Sequence, residues 1–238
     1  MPTSGPVSQT MPAQTPERGA ALALLPITVT VAYYVLPAGL RENTLIQFSP
    51  QAVAYLACAI WSAYNPGLIS RFGLERRKFS RGLVVGATVG GLLGGLNAFI
   101  MLDLYPRAGF DITFLTTTPH GRLPMLLMVP WFITGIALFV ELNFRGFLLG
   151  RLLALAATVA RPDRRLVASS LALGISALVF SFDPFMVHTF RHLHWIAIWD
   201  GLVWGIMWLR MHNLYATIAA HAVEVLILYN AARWTLSL

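Results

Sequence analysis

Long apolar runs separated by short polar segments constrain the fold of this chain more than any other feature. A helix needs about 20 apolar residues to cross a bilayer. Runs near that length occur at 20–40, 52–69, 82–102, 123–140, 166–182, 195–209 and 214–229, with a further apolar stretch at 147–160. Charged residues make up only 11% of the chain, against roughly a quarter in soluble domains. The sequence therefore predicts an all-α, polytopic transmembrane bundle of seven spans, or eight if the helix bends after Arg145.

The first 18 residues have a different composition from the rest. They are rich in Pro, Ser, Thr and Gln, and such a segment cannot bury a core. They also lack the basic start and apolar run of a signal peptide. We therefore predict a disordered tail at 1–18 and a single transmembrane domain at 19–238.

The basic residues predict an orientation. With the N-terminus in the cytoplasm, eleven of the 17 Lys and Arg residues fall inside, five fall outside and Arg145 stays within the bundle. This distribution satisfies the positive-inside rule. The net charge of +7 is spread over segment ends, which favours contact with anionic lipid over nucleic-acid binding. We predict a multi-pass protein of the plasma membrane. Its predicted partners include the lipid bilayer and do not include nucleic acid.

Glycines recur every four residues in the run at 82–102: Gly82, Gly86, Gly90 and Gly94. This spacing places a smooth strip on one helix face. Such strips let two membrane helices approach closely. The sequence therefore predicts tight helix packing there.

Ionisable residues inside the apolar runs are the candidates for chemistry, because they are costly at membrane depth. Glu141 and Arg145 are four residues apart and share a helix face. They form either a stabilising ion pair or part of a site. His221 and Glu224, in the last run, also share a face. Asp200 lies in the middle of the run at 195–209 and is a further candidate for a site or a proton path.

A polar segment after Pro184 contains His188, Arg191, His192 and His194. His188 and His192 are spaced to bind one metal ion. The fuller metallopeptidase pattern His-Glu-x-x-His is absent, however, because Thr189 occupies the Glu position. Polar residues facing lipid headgroups, or the rim of a site, are the alternative interpretation. We predict no metal and no cofactor.

Three segments together resemble the CAAX protease and bacteriocin-processing (CPBP, also called Abi) family of intramembrane peptidases. Glu141-Leu-Asn-Phe-Arg145-Gly146 is similar to the family's Glu-Glu-x-x-x-Arg motif. Ser176-Ala-Leu-Val-Phe180 is similar to the start of its Phe-x-x-x-His motif. The stretch from Gly201 through Arg210, followed by Asn213-Leu-Tyr-Ala-Thr-Ile-Ala-Ala-His221, is similar to its closing helix pair. The resemblance covers about 123–230.

The chain departs from the family pattern at three places. Val140 stands where the first Glu is expected, Pro184 where the second-motif His is expected, and Val225 where an Asn is expected. The direct matches are Glu141, Arg145 and His221. Of the nearby polar residues, His188 is a candidate to replace the missing histidine. Glu224 is a candidate to replace the Asn or to supply a second carboxylate.

The resemblance implies endoproteolysis of a membrane-associated peptide or protein. Glu141 would activate water, Arg145 would position Glu141, and His221 would stabilise the oxyanion.

Two other interpretations stay open: a catalytically inactive relative that binds membrane peptides or partner proteins, and a small transporter. A peptidase predicts that Glu141, His221 and either His188 or Glu224 converge on one cavity. A scaffold predicts Glu141 closed onto Arg145 with His221 bonded to a backbone carbonyl. A transporter predicts polar groups strung along the bundle axis.

Overall fold

The chain folds into helices joined by short connections, in a computed structural model that describes residues 17–118 and 122–236. Within these residues it contains no strand, so the all-α prediction is confirmed. The longer helices are α1 (Leu24–Tyr34), α2 (Ser49–Tyr64), α3 (Phe79–Phe99), α4 (Met125–Val159), α5 (Arg165–Ser181), α6 (Pro184–Phe190), α7 (Ile196–Met211) and α8 (Leu214–Thr235). Short helices at Ala38–Arg41 and Thr44–Gln47 and a 3-10 turn at Arg191–Leu193 belong to the connections, and a short helix at Leu68–Phe72 precedes α3.

Four helical stretches of the described residues are long and apolar enough to cross a membrane: Leu68–Arg107, Met125–Val159, Pro162–Ser181 and Leu214–Thr235. Many large apolar side chains, among them Leu92 and Leu126, are exposed on the outside of the bundle. An apolar exterior of this kind is costly in water and is stable in lipid. The helices are therefore compatible with a membrane protein.

Helix α4 passes through the Glu141 region without interruption. It contains two π-helical segments, Met128–Gly135 and Leu142–Leu149, the second of which begins directly after Glu141. Wider turns of this kind are frequent at functional sites. The bend considered after Arg145 therefore does not divide α4 into two helices: the chain stays helical and its turns widen instead.

The glycine strip of α3 packs directly on α8, as its spacing predicts. A methyl group added at Gly86 or Gly90 would lie only 2.2 or 2.3 Å from a carbonyl oxygen of Ala216 or Ala220, respectively. Larger side chains at these positions would push the two helices apart. The close approach brings the C-terminal part of α3 beside the ionisable residues of α8.

We expect alanine at Gly90 to lower the free energy of unfolding by about 1–3 kcal/mol, because the added methyl group collides with the backbone of α8. Gly91 is a matched control, since a methyl group there has no neighbour within 4 Å. Alanine at position 91 should be neutral or stabilising, because alanine favours a helix over glycine by about 1 kcal/mol. Thermal unfolding in detergent measures both variants. Equal melting temperatures for Gly90→Ala and Gly91→Ala would contradict this packing.

Glu17 and Arg18, the last two residues of the predicted tail, contact the bundle. Oε1 of Glu17 accepts a hydrogen bond from Nε1 of Trp61 at 3.0 Å and pairs with Arg151. Its other oxygen lies 3.7 Å from Nη1 of Arg71. The remainder of the predicted tail, residues 1–16, lies outside the described residues.

Candidate functional site

A cavity of about 630 Å³ lies among helices α2 and α4 to α8. Aromatic and aliphatic side chains form most of its wall. The lining side chains that carry hydrogen-bonding or ionisable groups are Gln51, Tyr55, Asp183, Thr189, His194, Asp200, Trp204, His221 and Glu224. An apolar cavity of a few hundred cubic ångströms with a few converging polar groups is typical of a ligand site.

Glu141 is completely buried behind the cavity wall, where it contacts two cationic or titratable side chains. Its Oε1 accepts a hydrogen bond from Nη1 of Arg145 at 3.0 Å. The same oxygen lies 3.1 Å from Nδ1 of His221 on α8. The structure thus brings Glu141, Arg145 and His221 into one cluster that joins α4 to α8.

The guanidinium of Arg145 lies against two neighbouring aromatic rings, whose centres are 5.9 Å apart. Its guanidinium carbon lies 4.5 Å from the ring centre of Phe180 and 4.9 Å from that of Trp204. Cation–π contact offsets part of the cost of burying the charge. Phe180, the residue matched to the second family motif, therefore forms part of the aromatic surroundings of Arg145 and also lines the cavity.

His221 forms part of the cavity wall and is fixed from two sides. Its ring stacks on Trp204, with the ring centres 4.6 Å apart and the planes inclined by 21°. If Nδ1 carries the proton shared with Glu141, the lone pair of the imidazole lies on Nε2. A carboxylate that orients an imidazole in this way is a recurring arrangement in proton-transfer sites.

Asn97 of α3 joins two more carboxylates. Its Nδ2 donates to Oδ1 of Asp200 at 3.1 Å and to Oε1 of Glu224 at 2.6 Å. Its Oδ1 accepts from Nε1 of Trp199 at 3.0 Å. Asp200 and Glu224 both line the cavity. Polar groups of three helices, α3, α7 and α8, therefore meet beside the cavity, and the two that are ionisable form part of its wall.

Four buried polar atoms of these clusters have no hydrogen-bond partner within the described chain: Glu141 Oε2, Arg145 Nη2, Trp204 Nε1 and Glu224 Oε2. Leaving such a group unsatisfied costs about 1–3 kcal/mol, and more for a charged group. Most buried polar groups are paired with protein or with water. The concentration of such atoms here is what a site that receives water or a ligand requires.

His188 is not part of this site, so its proposed role as the replacement histidine has no geometric support. It is exposed on α6 and lines a separate pocket with Arg41 and Arg191. The reason is the helix that begins at Pro184: its cavity face consists of residues 185, 186, 189 and 190, and His188 lies on another face.

His188 and His192 have different surroundings in the structure. The His192 ring stacks on Tyr105, with centres 5.8 Å apart. No group of three or more His, Cys, Asp or Glu side chains in the described residues is arranged to hold a metal ion.

Asp183 supplies a further acidic group to the cavity wall, just after the candidate span Pro162–Ser181. Its carboxylate accepts hydrogen bonds from the backbone N–H of Phe185 at 3.0 Å and from Nε2 of Gln51 at 2.9 Å. Burial raises the pKa of this carboxyl from its ordinary value of 3.8 to about 6. The folded state therefore binds the proton more tightly than the unfolded state.

This shift predicts a pH dependence of stability. The contribution of Asp183 is fully present below about pH 4 and is lost as the pH rises to about 6, because the folded protein must then release a proton it holds tightly. Relative to the wild type, Asp183→Asn should gain about 2–3 kcal/mol of stability between pH 4 and pH 7. Melting curves of both proteins across this range measure the difference. Parallel curves would contradict the raised pKa.

The site only partly matches the arrangement expected of a peptidase. His221 and Glu224 line one cavity, as expected, but Glu141 does not line it and instead contacts His221. Glu141 is closed onto Arg145, as a scaffold predicts, yet His221 bonds to Glu141 and not to a backbone carbonyl. The ionisable groups are clustered and not strung along the bundle.

Two participants could not be assigned from motifs. Asn97 lies in the glycine-rich helix, and its signal was a lone amide in an apolar run. Trp204 was one of several tryptophans near the ends of runs, and nothing in the sequence indicated that it lines a cavity or that its indole N–H lacks a hydrogen-bond partner within the described chain. No protein-family model, curated protein or solved structure matches the chain.

Proposed function

We propose that this protein is a membrane-embedded peptidase that hydrolyses an amide bond of a membrane-associated peptide or protein. The observation that carries the proposal is the 3.1 Å contact between Glu141 Oε1 and His221 Nδ1 at the wall of a largely apolar cavity. This contact joins the segment around Glu141 to the segment that ends at His221, two of the three segments that resemble the CPBP family. A buried carboxylate and a cavity-facing imidazole together provide a means of taking a proton from water.

The geometry supports different roles from those that the resemblance implies. Glu141 does not line the cavity, so we assign the abstraction of the proton to His221. Glu141 is then a positioning residue that holds Nδ1 of the ring. Arg145 positions Glu141 in turn through its 3.0 Å ion pair.

The proposed reaction needs no covalent intermediate. Nε2 of His221 takes a proton as the water oxygen attacks the carbonyl carbon. The indole N–H of Trp204, which has no partner within the described chain, donates to the oxyanion that forms. The C–N bond then breaks, and the protonated imidazole returns the proton to the leaving nitrogen. The products are a carboxylic acid and an amine, and both protons of the water molecule are accounted for.

We also propose that seven helical stretches span the bilayer. They are the four long candidates together with the region of α1, with α2 and with α7. The basic residues near the ends of these stretches favour a cytoplasmic N-terminus. We propose that the protein lies in the plasma membrane. Seven spans place the C-terminus outside. Reporter fusions to the two ends should therefore report opposite sides.

Hydrolysis of a library of apolar peptides in water enriched in ¹⁸O tests the proposed activity. Each peptide has about 20 residues, enough to span a bilayer, and is reconstituted with the purified protein in liposomes. Mass spectrometry should find new carboxyl termini that carry one heavy oxygen, with the wild type and not with His221→Ala. Absence of cleavage throughout the library, or equal cleavage by both proteins, would contradict the proposal.

A second candidate function is binding of a membrane peptide without cleavage. The engagement of Glu141 by Arg145 favours it, because a carboxylate in a fully buried ion pair is already neutralised. The ¹⁸O experiment separates the two functions: a binding protein retains the peptides and leaves them intact. The clustering of the ionisable groups gives no support to the transporter.

A further inference from the structure

Among the residues that the structure describes, three acidic side chains and no Lys or Arg line the cavity. The whole chain has a net charge of +7. Yet the described residues that line the cavity include Asp183, Asp200 and Glu224 and no Lys or Arg. The other ionisable groups among these described lining residues are His194, His221 and Tyr55. A cavity with this lining disfavours anions and favours a positive ligand.

Asp200 and Glu224 form the most acidic part of this wall. Both accept from the same nitrogen of Asn97, so the two carboxyl groups lie close together. They repel each other when both are ionised, and they hydrogen-bond to each other when they share a proton. Glu224 is only 2% exposed, and its Oε2 has no hydrogen-bond partner within the described residues. Repulsion between such groups is relieved by a shared proton or by a bound cation.

The nearest cation does not balance these charges. Arg145 interacts with Asp200 and Glu224, but its direct ion pair is with Glu141. One guanidinium therefore serves three carboxylates. In apolar surroundings an uncompensated negative charge is expensive, so a positive ligand group would be stabilised strongly beside Asp200 and Glu224.

The remainder of the wall fits the body of such a ligand. Phe139, Phe144, Phe180 and Phe190 line the cavity together with Trp204. Their ring faces attract cations, and their area favours apolar groups. An ammonium ion attached to a hydrocarbon body would match both parts of the wall.

We propose that Asp200 and Glu224 form a subsite for a protonated amine or guanidinium carried by an apolar ligand, namely a Lys or Arg side chain within an apolar segment of the substrate. The identification of the ligand as a substrate rests on the proposed peptidase function. The preference for an apolar cation rests only on the cavity and its acidic residues. Binding and cleavage therefore test the two parts separately.

Binding of dodecylammonium, measured against dodecanol and dodecanoate in micelles of a neutral detergent, tests the preference for a cation. The three probes share a hydrocarbon chain and differ in the charge of the head group. The wild type should bind the ammonium probe roughly tenfold or more tightly than the alcohol, because a charge-assisted hydrogen bond is stronger than a neutral one. It should bind the carboxylate most weakly.

Asp200→Asn and Glu224→Gln should reduce the ammonium preference roughly tenfold without changing the affinity for the alcohol. Both substitutions preserve size and leave an oxygen that can accept from Asn97. Asp103→Asn is the control, because Asp103 lies outside the cavity and pairs with Arg107 at 2.7 Å. Equal binding of ammonium and alcohol by the wild type would overturn the proposal, and this comparison needs no variant to fold.

Two matched peptides then test the substrate assignment. They are apolar segments that differ only in Lys or norleucine at one position, with both ends blocked. We expect kcat/KM to be roughly tenfold higher for the lysine peptide, and Asp200→Asn to remove the difference. Cleavage of both peptides at equal rates would overturn the substrate assignment and leave the peptidase intact. Selective binding of the ammonium probe without cleavage of either peptide would support the cation subsite and contradict the peptidase.

Discussion

Replacing His221 with alanine should lower kcat/KM for a cleaved peptide by about 10²–10⁴-fold, the range that a general base contributes. His221 is the imidazole that lines the cavity and contacts Glu141. Alanine removes the proton acceptor and leaves the apolar wall in place. The loss should therefore appear in kcat, while binding of the peptide to the inactive protein persists.

His188→Ala is the matched control for this variant. His188 is exposed and lies outside the cavity, so its loss should leave kcat/KM within about twofold, the effect of an ordinary surface change. The rates are measured by the appearance of ¹⁸O-labelled carboxyl termini. If the two variants lose activity equally, or if His221→Ala stays active, His221 is not the base.

Replacing Glu141 with glutamine should destabilise the fold by about 3–5 kcal/mol, because it leaves the charge of Arg145 buried without its carboxylate. Glu141 is 0% and Arg145 1% exposed, so the charge of Arg145 would not be solvated by bulk water. Thermal unfolding in detergent measures the loss. Glu75→Gln is the control: Glu75 pairs with Lys78 at 3.0 Å but is partly exposed, and exposed pairs contribute at most about 1 kcal/mol.

The double variant Glu141→Gln/Arg145→Gln separates stability from catalysis. It removes both charges, so much of the lost stability should return, with a coupling energy of about 1–3 kcal/mol. Activity should not return, because His221 still lacks the carboxylate that orients it. Because Glu141 acts by positioning His221, its replacement should lower kcat and leave KM unchanged. Additive losses of stability would show that the ion pair does not hold the cluster together.

The helices followed from local sequence. Apolar runs of near-spanning length coincide with the longer helices other than α6, and the spacing of four between Gly82, Gly86, Gly90 and Gly94 indicated a close helix contact, although not that its partner is α8. The length of an apolar run and the spacing of glycines are both properties of one segment of the sequence. They can be recognised without knowing how the helices pack. The continuous course of α4 was less evident, since Glu141, Asn143 and Arg145 interrupt its hydropathy.

The site was only partly accessible from sequence. Glu141, Arg145 and His221 were marked by their cost at membrane depth and by motif spacing. The bridge from Asn97 to Asp200 and Glu224 depends on how three helices pack, which no spacing along the chain reveals. The prediction that His188 replaces the missing histidine lacks geometric support for a local reason. A new helix begins at Pro184, and His188 lies on a face of it that does not line the cavity.

Alkylation by an apolar peptide chloromethyl ketone tests most directly whether His221 presents a reactive nitrogen to the cavity. The nitrogen lone pair displaces chloride and leaves the peptide bound to the ring, at a residue that peptide mass mapping identifies. The account predicts a single dominant adduct on His221, reduced in Glu141→Gln and blocked by a competing apolar peptide. Adducts confined to the exposed His188 and His192, with His221 unmodified, would contradict it.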